Sequence, residues 1–234
     1  MRAAAPAGAG RIVVVDYHKG NLSSVVRGLA DAGGDAVASD DPAAIRAASG
    51  VVLPGVGSFG DAMGYLEESG EAEAVLDAIG RGVPFLGICL GLQLLFERGN
   101  ETDDGSWADG LGVLPGSATR LKSSRLKVPH VGWDQLHLTA HGRACPILAG
   151  VPEGANVYFT HSFALAEDVP NEVVAARTHY VRSFASAVWR DNVFGVQFHP
   201  EKSSAVGLAM LRGFVGVVGG SPAVRGAELA GGAA

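Results

Sequence analysis

The sequence predicts an α/β fold with a mainly parallel sheet, flanking helices and a smaller antiparallel β region in the C-terminal half. In roughly the first hundred residues, short β-branched runs alternate with segments of helical periodicity, which is typical of a parallel sheet covered by helices. Beyond Trp107 the chain changes to strands and hairpins with little helix between them. Because no internal repeat or long linker divides the chain, we expect a single domain over residues 11–218, with a flexible extension before it (1–10) and a disordered Gly/Ala-rich tail after it (219–234).

The elements of the N-terminal half alternate strand and helix. Predicted strands cover 11–16, 35–39, 50–55 and 83–88. Predicted helices cover 21–34, 42–48, 59–70 and 71–82, and an amphipathic helix is expected to run from Leu90 to Gly99. In parallel sheets ligands bind at the carboxyl ends of the strands, which is where Cys89 and the loop after Leu53 lie.

The C-terminal half is predicted to be strand and hairpin, closed by one helix. The expected strand stretches are 112–121, 127–138, 155–165, 172–180 and 183–198, with a tight turn at Asp191 and Asn192 in the last of them. The closing helix covers 203–218, and Ser203 or Ser204 is the expected N-cap because a hydroxyl there can bind a free backbone N–H.

Composition and charge exclude several classes of function. The chain has 234 residues, 47% of them hydrophobic, and a formal net charge of −6, which argues against nucleic acid or an anionic membrane as the main partner. Its two cysteines do not make a disulfide scaffold, so a reduced cytoplasmic setting is expected. The N-terminus lacks the apolar core of a signal peptide, and the longest apolar run is too short to span a bilayer.

The stretch Gly87-Ile88-Cys89-Leu90-Gly91 has the form of a nucleophile elbow with cysteine at its tip. A side chain at either glycine would crowd the turn that pushes the nucleophile outward. The helix starting at Leu90 would favour the thiolate, and the Leu90 N–H is a natural oxyanion donor. The alternative for an isolated cysteine here is a buried packing residue at the end of a strand.

His199 and Glu201 stand two residues apart at the end of a predicted strand, in Phe-His-Pro-Glu. In extended chain, residues i and i+2 project to the same side, so Glu201 can orient the imidazole of His199 and stabilise its cation. On its own this fragment is more typical of a surface His–Glu pair. Together with the elbow cysteine it indicates a Cys–His–Glu triad.

Three other motifs in the sequence carry weaker indications of function. Gly55, Gly57 and Gly60 formally match a dinucleotide fingerprint, but they follow the third strand instead of the first, so a glycine-lined wall opposite Cys89 is the better interpretation. The spacing of His137 and His141 suits a metal only on a helix, and this stretch is predicted as strand and loop, so no metal is expected. Cys145 is interpreted as structural.

The motifs GICLGLQLL and QFHPEKSS resemble those of class I (triad) glutamine amidotransferases, which have a flavodoxin-like α/β fold. The stretches DYHKGNL, LPGVGSFGDAM, KVPHVGWD and YFTHSFAL narrow the resemblance to the glutaminase subunits of imidazole glycerol phosphate synthases, from histidine biosynthesis. The resemblance runs from about Arg11 to Val218. It departs from the common pattern at His18, Lys19, Asp134 and Phe163, none of which belongs to the triad.

The resemblance implies a cofactor-free glutaminase. Cys89 would attack the side-chain amide carbon of glutamine, His199 would move the proton, and Glu201 would orient His199. Leu90 and the Val56–Gly57 peptide correspond to oxyanion-hole elements. The positions that hold glutamine in the family correspond to Gln93, Glu101, His161 and Ser162.

The resemblance also implies a (β/α)8 cyclase subunit as partner in a heterodimer. That subunit receives ammonia and forms imidazole glycerol phosphate and aminoimidazole carboxamide ribotide; the glutaminase motifs leave no residues here for a synthase domain. The interface positions of the family correspond to Asn21, Trp133, Tyr158 and Lys202. The peptides of the Gly55-Val56-Gly57 wall can flip at low steric cost. This suggests that the free subunit hydrolyses glutamine slowly and that the partner completes the oxyanion hole.

The sequence is also compatible with three other functions. The chain could be a glutaminase of another pathway, such as vitamin B6 or purine synthesis. It could be an α/β-hydrolase with a cysteine nucleophile acting on an ester or lactone, although the acid there normally precedes the histidine by many residues. It could also be a non-catalytic subunit that retains the fold.

Overall fold

We describe the fold from a computed structural model of the chain, in which residues 10–220 are described. The predictions for the two ends fall almost entirely outside this range. The strands are β1 (Arg11–Val15), β2 (Asp35–Ser39), β3 (Gly50–Leu53), β4 (Phe85–Ile88), β5 (Phe96–Gly99), β6 (Ala108–Asp109), β7 (Leu114–Arg120), β8 (His130–Leu138), β9 (Ala155–His161), β10 (Phe163–Leu165), β11 (Val174–His179), β12 (Ser183–Arg190) and β13 (Val193–Val196). The helices are α1 (Leu22–Asp31), α2 (Pro42–Ala47), α3 (Phe59–Glu68), α4 (Glu71–Gly80), α5 (Leu90–Gln93) and α6 (Ser204–Val218).

The predicted α/β class is confirmed by a nine-stranded sheet with the order β2-β1-β3-β4-β13-β12-β11-β8-β9. The strands from β2 to β13 are parallel, and the remaining pairings are antiparallel. Buried apolar side chains cover both faces, as expected for a sheet between helical layers. Most of the predicted antiparallel region therefore continues the parallel sheet and does not stand apart from it.

Strand β13 joins the two halves of the sheet. It pairs in parallel with β4, with Ile88 opposite Val196, and antiparallel with β12. The predicted turn at Asp191 lies between β12 and β13, and Asp191 has the positive φ of 52° that a tight hairpin requires. Because β4 and β13 are adjacent and parallel, the residues that follow them lie at the same edge of the sheet.

The helix predicted from Leu90 to Gly99 is much shorter than expected. Only Leu90–Gln93 is helical, and Phe96–Gly99 forms β5 of a second sheet, ordered β10-β7-β5-β6. Leu92, Leu94 and Leu95 are completely buried. A run that is buried on all sides has no amphipathic face, so its periodicity cannot distinguish helix from strand.

Ser203 lies at the N-cap position of α6, as predicted. The capping hydrogen bond expected from its hydroxyl is not formed. It donates instead to the His199 carbonyl (2.7 Å) and accepts from the Tyr158 N–H (2.9 Å). The hydroxyl thus ties β9 to the segment that carries His199.

No helix within residues 10–220 is both long enough and apolar enough to cross a membrane.

Candidate active site

Cys89 stands on a sharp turn between β4 and α5. Its backbone has φ 55° and ψ −105°, a region that residues other than glycine rarely adopt. A Cβ at Gly87 would lie 2.5 Å from the Gly91 carbonyl oxygen, and a Cβ at Gly91 would overlap the Leu53 carbonyl oxygen. The elbow therefore needs glycine on both sides of the cysteine. Its helix is a single turn, so the backbone strain and the close neighbours of Cys89 matter more than a helix dipole.

His199 and Glu201 follow β13 and form a tight, buried pair. Nδ1 of His199 lies 2.8 Å from Oε1 of Glu201, and both side chains are more than nine-tenths buried. The predicted extended geometry is wrong here, because residues 200–202 form a 3₁₀ turn that brings Glu201 back to the ring. Burial lowers the pKa of His199, but the Cys89 sulfur and the Glu201 carboxylate outweigh it and raise the pKa to about 9.

A pocket of about 340 Å³ opens in front of Cys89, which is large enough for a small amino acid. The structure brings every predicted oxyanion and substrate position to its wall. These are Val56, Gly57, Leu90, Gln93, Glu101, His161 and Ser162.

Glu101 is the acidic group of the pocket. Burial raises the pKa of its carboxyl to about 7, and the Arg120 charge opposes this shift. A carboxylate held in this way gains most from a cationic ligand, which would restore its charge.

The ring of His161 is fully engaged within the protein. Its Nδ1 lies 2.7 Å from the Phe163 carbonyl oxygen, which can only accept, so Nδ1 carries the proton. Its Nε2 then accepts from Nδ1 of the buried His130, at 3.1 Å. Burial lowers the pKa of His161 to about 3, so the ring is neutral. No nitrogen of His161 is left for a ligand, and the residue offers the pocket its ring surface and its backbone.

The peptide of Val56 is held by Tyr17. The Val56 N–H donates to the Tyr17 hydroxyl (3.1 Å), and that hydroxyl lies 3.3 Å from the Val56 carbonyl oxygen. Tyr17 is itself buried beneath the loop. The Val56 N–H is thus committed to Tyr17, whereas Leu90, as the first residue of α5, has no acceptor within its helix.

The family profile described as "Glutamine amidotransferase class-I" matches residues 13–216. The chain belongs to the class-I glutamine amidotransferase family. Among curated relatives it is 46% identical over 210 residues to "Imidazole glycerol phosphate synthase subunit HisH" of Syntrophotalea carbinolica, covering 87% of this chain and 98% of that protein. It is also 46% identical to the protein of the same name from Moorella thermoacetica, covering 87% of this chain and 93% of that protein.

Solved structures agree with the fold of this glutamine amidotransferase. PurLQS from Thermotoga maritima superposes with a TM-score of 0.67 at 20% identity, covering 89% of this chain and 98% of that chain. At that identity the likeness concerns the fold alone.

Three of the four predicted interface positions of the amidotransferase form one surface. Trp133 and Tyr158 are cross-strand neighbours on β8 and β9, with ring centroids 6.1 Å apart. Lys202 places its ammonium 5.9 Å from the Tyr158 ring. Asn21 caps α1 by accepting from the Ser24 N–H. We call Trp133, Tyr158 and Lys202 the aromatic face.

Sequence reasoning missed three side chains of the site. Gln197, Tyr17 and His130 are almost completely buried, and they contact Cys89, Val56 and His161 respectively. Only Gln197 had a local signal, since it is a lone polar residue in the apolar run Val-Phe-Gly-Val-Gln-Phe.

Within residues 10–220, no group of three or more His, Cys, Asp or Glu side chains is arranged to hold a metal ion. His137 pairs with Glu153 at 3.0 Å, and His141 contacts the Trp189 carbonyl oxygen at 2.9 Å. The two histidines therefore have separate partners.

Proposed function

We propose that this chain is the glutaminase subunit of an imidazole glycerol phosphate synthase, which hydrolyses glutamine and passes ammonia to a (β/α)8 cyclase subunit in the cytoplasm. The observation that carries the proposal is the buried His199–Glu201 pair beside an elbow cysteine, in a chain 46% identical to curated HisH subunits. Those relatives favour this assignment over a glutaminase of vitamin B6 or purine synthesis. The acidic, charge-poor composition argues against nucleic acid or membrane as a further partner.

The chemistry follows from the three side chains. The Cys89 thiolate attacks the side-chain amide carbon of glutamine, and the carbonyl oxygen becomes an oxyanion facing the Leu90 N–H. The imidazolium of His199 gives its proton to the nitrogen, which leaves as ammonia, and a glutamyl thioester remains. Neutral His199 then takes a proton from water as the water attacks the thioester, and glutamate leaves while the thiolate is restored. Glu201 stabilises the imidazolium in both halves of the reaction.

The pocket has groups for both ends of the amino acid. Glu101 suits the α-ammonium group, because a partly buried carboxyl with a raised pKa regains its charge beside a cation. Both N–H bonds of Gln93 go to protein acceptors, which leaves its Oε1 to accept from the substrate. Ser162 adds a hydroxyl at the pocket wall.

Glutamine binding should weaken as the pH falls below about 7, because Glu101 with its pKa of about 7 loses the charge that holds the ammonium. We expect kcat/KM, which reports the free enzyme, to fall by up to about tenfold per pH unit below that point. The measurement is steady-state glutamate release between pH 5.5 and 8.5 with the liganded partner. The Glu101→Gln variant should have a low kcat/KM at every pH and should not show this fall below pH 7. A fall of the wild-type size that persists in the variant would contradict the role assigned to Glu101.

The free subunit should be slow, because the Tyr17 hydroxyl holds both peptides that flank Val56 and keeps them from turning toward an oxyanion. The hydroxyl accepts from the Val56 N–H, and it donates to the Val56 carbonyl oxygen of the Val56–Gly57 peptide. We propose that the docked partner releases the Val56–Gly57 peptide. Gly57 has a φ of +100°, so rotation of that peptide meets little steric resistance.

Tyr17→Phe should raise glutamine turnover of the free subunit roughly threefold to tenfold, since one neutral hydrogen bond contributes about 1 kcal/mol. Turnover with the liganded partner should change little. Tyr65→Phe is the matched control. Tyr65 lies on α3 and contacts His18, the residue that follows Tyr17, instead of Val56. Free-subunit turnover that stays the same or falls in Tyr17→Phe would contradict the role of Tyr17.

Trp133→Ala should weaken binding of the cyclase subunit by roughly 30-fold, because a half-exposed tryptophan is a typical anchor of an interface. Trp107→Ala is the control, since Trp107 is similarly exposed but packs on Arg98 in the second sheet. Titration calorimetry would measure both. Equal affinities of Trp133→Ala and wild type would place the docking surface elsewhere.

The decisive experiment measures glutamate release with the protein alone, with the cyclase subunit, and with the cyclase subunit and its nucleotide ligand. Release that rises with the liganded partner and disappears in Cys89→Ala supports the proposal. Release that ignores the partner would retain the triad but assign the ammonia to another acceptor. No release under any condition would favour a non-catalytic subunit.

A further inference from the structure

Gln197 lies between the residues of the site without being one of the triad. It follows β13 directly, precedes His199 by two positions and is completely buried. Its backbone N–H donates to the Ser186 carbonyl oxygen at 2.9 Å, which anchors the residue to β12. A buried carboxamide needs partners for its polar atoms, and those of Gln197 are Gln93 and Cys89.

The orientation of the Gln197 amide follows from its neighbours. The Phe163 carbonyl can only accept, so the Gln93 group 2.9 Å from it is the NH₂. The same Nε2 of Gln93 lies 3.0 Å from the Gln197 side chain, which must therefore present its oxygen there. The remaining NH₂ of Gln197 then faces the Cys89 sulfur, with Nε2 and Sγ 3.6 Å apart. One backbone carbonyl thus orients both amides in turn.

Two uncharged groups beside the sulfur act on it in opposite directions. The Thr160 carbonyl oxygen, 3.9 Å from Sγ, accepts the S–H of a thiol but repels a thiolate. The Gln197 N–H donates to the sulfur and favours the thiolate, because a hydrogen bond to the charged form stabilises it. Unlike His199, Gln197 is neutral and cannot take up the thiol proton.

We propose that Gln197 is a positioning residue of the glutaminase: it holds the Cys89 sulfur as the thiolate and fixes Gln93 with its oxygen toward the substrate. This inference deepens the proposed function and rests on the role of Cys89 given there. Its test uses alkylation of the sulfur, which needs neither glutamine nor a partner subunit, so its failure is distinct from a failure of the proposed function.

The experiment follows alkylation of the full-length chain by iodoacetamide between pH 5 and 10, with the Cys89 and Cys145 peptides resolved by mass spectrometry. Gln197→Met keeps the shape but removes both hydrogen bonds. Gln197→Glu keeps an oxygen for Gln93 and removes the donor to the sulfur. Ser186→Ala is the control, because its buried hydroxyl bonds to Thr178 and not to the site.

We expect both Gln197 variants to alkylate Cys89 more slowly than the wild type on the low-pH side of the profile, by up to roughly tenfold. Ser186→Ala should match the wild type. In glutamate release, Gln197→Met should lower kcat and also raise KM, because Gln93 loses its partner. Gln197 variants that fold and alkylate with the wild-type pH dependence would overturn the proposal.

A measurement on the unaltered chain covers the case in which the variants do not fold. The sequence holds only three glutamines, Gln93, Gln135 and Gln197, so selective ¹⁵N labelling gives three side-chain amide signals. Two of them, from Gln93 and Gln197, should shift when Cys89 is alkylated, while the signal of Gln135 stays in place. Three signals that are all insensitive to the state of the sulfur would overturn the proposal equally.

Discussion

Glu201→Gln is expected to lower kcat of partner-activated glutamine hydrolysis by roughly 10³–10⁴-fold, with little change in KM. The carboxylate of Glu201 lies 2.8 Å from Nδ1 of His199 and, with the Cys89 sulfur, keeps the pKa of that ring near 9. A neutral amide cannot stabilise the imidazolium, and its NH₂ can select the wrong tautomer. The ring then has no proton to give to the leaving ammonia at neutral pH.

The pH dependence separates this effect from a packing defect. In the wild type His199 stays protonated up to about pH 9 in the free enzyme, and this limit should move down in Glu201→Gln. Glu153→Gln is a matched control, because Glu153 pairs with His137 through the same atoms at 3.0 Å, on the surface. Comparable losses in the two variants, or a wild-type pH profile in Glu201→Gln, would refute the role assigned to Glu201.

Gly91→Ala should destabilise the protein by about 3 kcal/mol or more and remove its glutaminase activity. The new Cβ would overlap the Leu53 carbonyl oxygen of β3, and the obstacle is buried backbone that no rotamer change can move. Any relief must shift α5 relative to β3, and with it the Cys89 turn. A displacement of about 1 Å at the nucleophile already costs roughly 10²-fold in rate.

Chemical denaturation monitored by circular dichroism measures the loss, and Gly64→Ala is its control. Gly64 lies inside α3, and nothing stands within 4 Å of the Cβ it would gain. Alanine there should stabilise the protein by about 0.5–1 kcal/mol through helix propensity. Wild-type stability and turnover in Gly91→Ala would mean that the elbow tolerates a larger distance between α5 and β3.

The sequence predicts local patterns well in this protein and burial poorly. Strand-helix alternation and the hairpin turn at Asp191 depend on neighbouring residues, and both agree with the structure. The helix expected up to Gly99 fails because Phe96 pairs with Leu114 of β7, a tertiary contact that no local pattern contains. The hydroxyl of Ser203 is likewise taken from its cap by a carbonyl and an N–H of the segment it packs on.

The candidate active site shows the same contrast between local sequence motifs and contacts formed only in the folded chain. Cys89, His199 and Glu201 belong to motifs whose residue types and spacing already indicate their chemistry. Gln197 and Tyr17 act through hydrogen bonds to residues distant in sequence, so only the folded chain shows what they hold. His161 lines the pocket as the resemblance implies, yet both its ring nitrogens are bound inside the protein.

The place of β13 in the sheet has a consequence for the protein while it is being synthesised. Cys89 follows β4, but His199 and Glu201 follow β13, which is synthesised later than β4 and lies between β4 and β12 in the sheet. A ribosome-bound chain that stops before β13 carries the nucleophile without its base or acid. Because pairing of strands distant in sequence is slow, we expect a chain that has not yet paired β13 with β4 to lack glutaminase activity.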